Sequence, residues 1–259
     1  MRTVQGKALT VLPLFRFDGS LVANSEVLLE GSEGHHAASV RRMRSGEAIQ
    51  LTDGKGTRAT GMVTEIHGKS LTVKVESVQS EFSPAPTLSL VQAVAKGDRD
   101  ELAIQAATEL GVVSVIPWQA NRSVSNWSGK EQKSRDRWQA IVDEAAKQSL
   151  RSIFPNVEEI RDTKSLVKTI QAAGGQNVFL VLDPTAALSL PELAASLSES
   201  RPQSVALVVG PEGGISDTEV ESLVAAGATA VHLGTGTLRT STAGVAALAF
   251  LSGSLGFWG

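Results

Sequence analysis

The residues best suited to chemistry stand in one short stretch, Gly210-Pro211-Glu212-Gly213-Gly214, where an aliphatic run ending at Val209 stops abruptly. Each glycine costs roughly 0.5–1 kcal/mol of ordering relative to alanine. Three of them in five residues therefore predict positive φ angles or a backbone that approaches a ligand closely. The carboxylate of Glu212 would repel a phosphate; a ligand with a cationic or neutral polar part suits it better. The usual phosphate loops are missing, since the chain has no G-x-x-x-x-G-K-[ST] and no G-x-G-x-x-G after a first strand. Gly234-Thr235-Gly236 is too short and lies too late in the chain to replace them, and no G-x-S-x-G elbow occurs. The absence of cysteine excludes thiolate nucleophiles, disulfides and cysteine-zinc sites. The four histidines, at 35, 36, 67 and 232, lack the helical spacing of a metal pair, so no metal is expected.

Such a loop needs a strand before it and a helix after it. Ser216-Asp217-Thr218-Glu219 reads as a capping box, with Ile215 and Val220 at the hydrophobic-staple positions, so a helix is expected to begin at Ser216 and to stop at Gly227. Around it the pattern alternates. "TLSLVQAVA", "VVSVIPW", "NVFLVLDP", "SVALVVGP" and "TAVHLG" read as buried strands, separated by helical stretches such as "DRDELAIQAATELG" and "SRDRWQAIVDEAAKQSL". Strand-helix alternation predicts an α/β domain with a mostly parallel sheet covered on both faces. In such sheets ligands bind beyond the carboxyl ends of the strands. Three of these strands end in unusual loops, "LDPTA", "GPEGGIS" and "LGTGTLRTSTAG", which read together as one site.

The first part of the chain reads differently. "EAIQLTDGKGTRATGMVTEI" is two strands around an Asp-Gly-Lys-Gly turn, "SLTVKVESV" alternates with period two, and "GHHAASVRRMRSG" is expected to form a short helix. The division predicted is a small β-barrel over 1–78, a linker over 79–87 carrying the two prolines of "QSEFSPAP", and the α/β domain over 88–259. With 42% hydrophobic and 20% charged residues the composition is that of an ordinary globular protein. "AGVAALAFL" is too short to span a bilayer, and "MRTVQGKALTVLPLF" lacks the apolar core of a signal peptide; the expected location is the cytoplasm, away from membranes. A net charge of −3 argues weakly against nucleic acid, but the basic clusters at 41–44 and from 96 to 151 keep RNA binding open.

The three C-terminal loops together resemble those of the SPOUT methyltransferases, specifically the RsmE-type 16S rRNA uridine-N3 methyltransferases. The resemblance rests on "GPEGGIS" through Glu219, "LGTGTLRTSTAG" at 233–244, "KGDRDELAIQAATELGV" at 96–112, "RSV" at 122–124 and "EAAKQSLR" at 144–151. The segment "HHAASVRRMRSGEAIQLTDGKG" is similar to part of that family's PUA-like barrel, so the likeness covers nearly the whole chain. It implies a deep trefoil knot in the C-terminal domain, a homodimer, S-adenosylmethionine as cofactor and 16S rRNA of the small ribosomal subunit as substrate. Carried over, the cofactor loops are Leu182, Asp183 and Pro184; Gly210, Pro211, Glu212, Gly213 and Gly214; and Leu233, Gly234, Leu238 and Arg239, with Thr242 starting the last helix. This chain departs from the commoner pattern at Gly236, where a basic residue is frequent, and at Ser241, where Glu is frequent. These departures leave a non-catalytic RNA-binding or ribosome-assembly protein of the same fold as the alternative.

The implied reaction sets requirements of its own. Methyl transfer from a sulfonium is an in-line displacement that needs alignment. Uridine N3 is a poor nucleophile while protonated, and it lies on the Watson–Crick edge, so the base must be unpaired or flipped. Arg122 and Arg239 are the candidates for steadying negative charge on the uracil or its phosphate, and Glu212 is the candidate base or cofactor ligand. Arg41, Arg42, Arg44, Lys96, Arg99, Arg122 and Arg151 are the candidates for contact with rRNA phosphates. Trp138 is expected in the core, and Trp118 and Trp127 are left open between core and base stacking.

Overall fold

A computed structural model describes residues 11–258. The first ten residues of the segment read for a signal peptide lie outside them. Among the described residues two compact units are present, one of residues 11–82 with 150–153 and one of residues 83–149 with 154–258.

The first unit begins with β1 (Leu14–Arg16), β2 (Glu26–Leu29) and α1 (Gly31–His35), followed by a wider helical turn over His36–Val40. Then come β3 (Ala48–Thr52), β4 (Thr57–His67) and β5 (Ser70–Ser80). The five strands form one sheet in the order β1-β3-β4-β5-β2. The β3–β4 turn is the Asp-Gly-Lys-Gly signal: Asp53 Oδ1 accepts from the amides of Lys55 at 2.7 Å and Thr57 at 3.0 Å. The period-two pattern of β5 places Leu71, Val73 and Val75 inward, where they pack with Phe15, Leu29, Ile49, Leu51 and Val63. The expected helix over "GHHAASVRRMRSG" is corrected. It starts earlier, at Gly31, and helical structure ends at Val40, so Arg41, Arg42 and Arg44 lie beyond it, exposed around the buried Met43.

The expected linker is also shorter than drawn. β5 runs to Ser80, and Glu81 belongs to the first unit through the guanidinium of Arg58 and the hydroxyl of Ser152. The Nη2 of Arg58 also donates to Leu150 O at 2.6 Å, which ties residues 150–153 to the same unit. The Arg58 hydrogen bonds hold the Glu81 carboxyl below its ordinary range.

The second unit contains β6 (Thr87–Ala93), α2 (Arg99–Glu109), β7 (Ser114–Gln119), α3 (Glu131–Gln148), β8 (Asn156–Val157), β9 (Arg161–Asp162) and α4 (Thr163–Ala172). It continues with β10 (Asn177–Leu182), α5 (Leu190–Ser200), β11 (Ser204–Val209), α6 (Asp217–Ala225), β12 (Thr229–Val231) and α7 (Thr240–Ser254). Its seven strands are parallel in the order β12-β10-β11-β6-β7-β8, with β9 also on β7. Alternation along each strand splits the core in two. Leu88, Leu90, Val205, Leu207 and Val209 pack with Leu248 and Leu251 of α7 on one face, while Val91, Ala206 and Val208 pack with Leu166 and Leu223 on the other. Trp118 and Trp127 go into these cores with Trp138; Trp127 and Trp138 meet edge to face at 4.8 Å. None of the three is a stacking platform for a base. Among the described residues no helix is long and apolar enough to cross a membrane.

The strand order positions the site. β12, β10 and β11 are neighbours, so the loops leaving their carboxyl ends, 232–239, 183–189 and 210–216, lie side by side.

Candidate functional site

Those three loops enclose a cavity of about 820 Å3, within the range of small-molecule sites. Leu182, Asp183 and Pro184 line it from the first loop, Gly210 to Gly214 from the second, and Leu233, Leu238 and Arg239 from the third, with Arg99 and Arg122 at its walls. Two carried-over residues fall outside the lining. Gly234 adopts a φ of +143° with open space where a Cβ would stand, and Thr242 is exposed two residues inside α7, which already begins at Thr240. Sequence reasoning passed over Thr185, Asp217, Glu221, His232 and Thr240, which also line the cavity. Thr185 and Thr240 lie within two of the loops read as one site, and the spacing of Asp217 and Glu221, one turn apart at the start of α6, was a further signal.

Of the two causes expected for the glycines, positive φ holds at Gly214, while Gly210 and Gly213 are crowded by the chain itself. A Cβ on Gly210 would stand 2.6 Å from Ile215 Cγ1, and one on Gly213 would stand 3.2 Å from Arg122 Cβ. Gly214 has φ +72°. The loop folds onto Ile215 and onto Arg122, which accounts for Gly210 and Gly213, while the positive φ accounts for Gly214. What faces the cavity is the turn that results.

Glu212 is held rather than free. Its Oε1 accepts from the backbone amide of Lys96 at 3.0 Å and from Arg99 Nη1 at 3.0 Å. Burial pushes this carboxyl up, but its own amide, the Lys96 amide and Arg99 outweigh burial, and it sits below the ordinary glutamate range. A carboxylate so stabilised is a poor proton acceptor. Glu212 clamps the second loop to the segment before α2, an arrangement that favours a structural role over that of a base. The same bond commits Arg99 within the chain. Lys96 is exposed and stands outside the cavity lining. Arg151 is half-buried beside Glu81 in the first unit, and burial lowers its pKa; it is no open phosphate contact. Arg41, Arg42 and Arg44 keep their exposure.

Arg122 Nη1 donates to Gly213 O at 3.2 Å and Ile215 O at 3.4 Å, so its guanidinium braces the second loop. Arg239 lines the cavity, is exposed, and forms no side-chain hydrogen bond or ion pair among the described residues. With Glu212 and Arg99 paired, Asp183, Asp217 and Glu221 face Arg122 and Arg239 around the cavity. Both signs of charge over apolar walls suit a ligand that itself carries both.

The helix behind the loop is anchored by Glu219. Its Oε2 accepts from Ser216 N at 3.1 Å and Ser216 Oγ at 2.7 Å, closing the cap that the sequence foretold. Its Oε1 accepts from Asn121 N at 2.8 Å and Thr163 Oγ1 at 2.7 Å, which joins the Arg122 segment and α4 to the same carboxylate. Burial raises the pKa of Glu219, but these bonds together lower it further, so the net direction is down from 4.5. A depressed folded pKa stabilises fully above the unfolded value and is lost as pH falls through the folded value. Thermal stability is therefore expected to fall as pH drops below about 4.5. A Glu219→Gln variant should show a shallower acid slope; the same slope in both proteins would refute the assignment.

Comparison with known proteins gives this geometry a context. Residues 83–252 match a family model described as an RNA methyltransferase domain, and residues 29–76 match one described as an RNA methyltransferase PUA domain. A protein named ribosomal RNA small subunit methyltransferase E from Mycobacterium bovis is 41% identical over 92% of this chain and 90% of its own. Its namesake from Bacillus subtilis is 31% identical over 86% of this chain and 88% of its own. A crystal structure of a ribosomal RNA small subunit methyltransferase E from Neisseria gonorrhoeae bound to S-adenosyl methionine superposes with a TM-score of 0.83 at 28% identity, covering 94% of this chain and 98% of that one.

Proposed function

The chain belongs to the RNA methyltransferase family that contains ribosomal RNA small subunit methyltransferase E, and from that premise we propose that it methylates N3 of a specific uridine in 16S rRNA, with S-adenosylmethionine as donor. The observation that carries the proposal is the cavity itself, built mainly from the loops that leave three adjacent parallel strands. The residues present fit the cofactor. Apolar walls from Leu182, Val209, Val231 and Leu233 suit an adenine and a thioether chain, and the Asp183 carboxylate suits a sulfonium or an ammonium. When bound, S-adenosylmethionine supplies an electrophilic methyl group.

The chain's own residues do the rest. The three loops hold the donor in one orientation, which lets an in-line approach occur at a fixed geometry. Arg239 carries an uncommitted guanidinium at the cavity and stabilises negative charge on the uracil oxygens as N3 releases its proton to solvent water. Arg122 braces the second loop and stands at the same wall. Glu212 keeps the second loop in place and takes no proton. In the first unit the exposed Arg41, Arg42 and Arg44 contact rRNA phosphates.

Three finer readings belong to the same proposal. The five-stranded first unit is a PUA-like barrel, the 83–252 region is a SPOUT domain with a trefoil knot, and the working form is a cytoplasmic homodimer. The last is supported by α7, which is apolar on both sides: Ala247, Leu248 and Leu251 pack inward, while Ala249 and Phe250 reach the surface. Titration calorimetry should find one S-adenosylmethionine site per chain, and a double substitution of Asp183 and Leu233 by Ala and Arg should abolish it. Retained binding in that variant would place the cofactor elsewhere.

A further inference from the structure

A buried polar relay joins three elements behind the cavity. Gln92 of β6 is fully buried, and its Nε2 donates to Thr240 Oγ1 at 2.9 Å. Thr240, the first residue of α7 and also buried, donates that hydroxyl to Gly210 O at 2.7 Å. The register makes the relay compact, because Gln92 is paired with Val209, the residue before Gly210. Gln92 Oε1 is buried without a hydrogen-bond partner among the described residues, so this amide is a poor choice for stability alone.

The peptide held by the relay is unusual. It joins Gly210 to Pro211, and proline has no N–H, so the carbonyl of Gly210 is the only polar handle on that peptide plane. Glycine leaves the plane free to rotate on one side, and proline restricts it on the other. The Thr240 hydroxyl sets its angle, and with it the direction in which the second loop leaves β11. The same residue follows Arg239 and so ties the third loop to the second.

We propose that Thr240, supported by Gln92, is a positioning residue for cofactor binding: its hydroxyl fixes the Gly210–Pro211 peptide and so shapes the two loops that grip the ligand. This rests on the reading of the cavity as the S-adenosylmethionine site. The test is calorimetric affinity for S-adenosylmethionine in Thr240→Val, Thr240→Ser and Gln92→Leu, with thermal unfolding of each as a control for folding. Thr240→Val keeps the shape and removes the hydroxyl; losing one well-placed hydrogen bond corresponds to roughly a tenfold weaker Kd. Thr240→Ser restores the hydroxyl and is expected within about threefold of the parent, with Gln92→Leu between the two. The proposal is overturned if folded Thr240→Val binds as the parent does, or if Thr240→Ser is as weak as Thr240→Val, since the methyl group and not the hydroxyl would then matter. Should Thr240→Val fail to fold, unchanged affinity in Gln92→Leu would overturn the relay. Absence of binding in the parent protein would instead overturn the reading of the cavity.

Discussion

Replacing Glu219 with alanine is expected to lower stability by about 2–4 kcal/mol, because leaving even one buried donor without its acceptor costs roughly 1–3 kcal/mol and a lost helix cap adds about 1. The midpoint of thermal unfolding should fall by roughly 5–12 °C in a chain of this size. The side chain is 2% exposed and accepts four hydrogen bonds, from Ser216 twice, Asn121 and Thr163. It therefore joins the start of α6, the start of α4 and the segment that carries Arg122. Glutamine has the same shape but turns an N–H toward donors it cannot serve, so Glu219→Gln should lose about half as much. A fall of only about 1 °C in the alanine variant would mean that the four bonds are replaced by water at little cost. Scanning calorimetry decides between the two outcomes.

The second large effect concerns turnover. Arg239→Ala should reduce the methyl-transfer rate by roughly a hundredfold, the loss typical of removing one preorganised donor from a site of developing negative charge. Affinity for S-adenosylmethionine should stay within about threefold, since the interaction strengthens as the uracil loses its proton. Lysine at 239 should recover part of the rate, because it supplies the charge without the planar fork. Single-turnover kinetics with saturating cofactor isolates the chemical step. An unchanged rate there would remove Arg239 from the chemistry and turn attention to Arg122, whose Nη1 is otherwise occupied by Gly213 O and Ile215 O.

The local elements were legible because local patterns produce them. Ser216 and Glu219 announced a helix start, alternation announced β5 and the buried strands, and loops after consecutive strands announced a site. The partners across the fold were not legible. Glu212 meets Arg99 from 113 residues away, Glu219 meets Asn121 from 98, and Gln92 meets Thr240 from 148. Each of these pairings exists only because the sheet order sets β6 between β11 and β7 and the chain returns to them through α6 and α7, and no spacing rule encodes that order. The glycines show the limit most clearly. Their density in the second loop pointed to positive φ or close approach to a ligand; Gly214 has the positive φ, but what stands close to Gly210 and Gly213 is Ile215 and Arg122, within the chain itself. The cationic residues show a related limit. A linear pattern shows charge, whereas commitment of that charge, as for Arg99 to Glu212, is a property of the folded chain.

The proposed reaction is tested most directly by incubating the protein with labelled S-adenosylmethionine and small ribosomal subunits whose 16S rRNA lacks the modification, then mapping the label to a ring atom. Label on N3 of a single uridine is the expected result. Cofactor binding with no label in the rRNA, or label on a different atom or base, would contradict the proposed function.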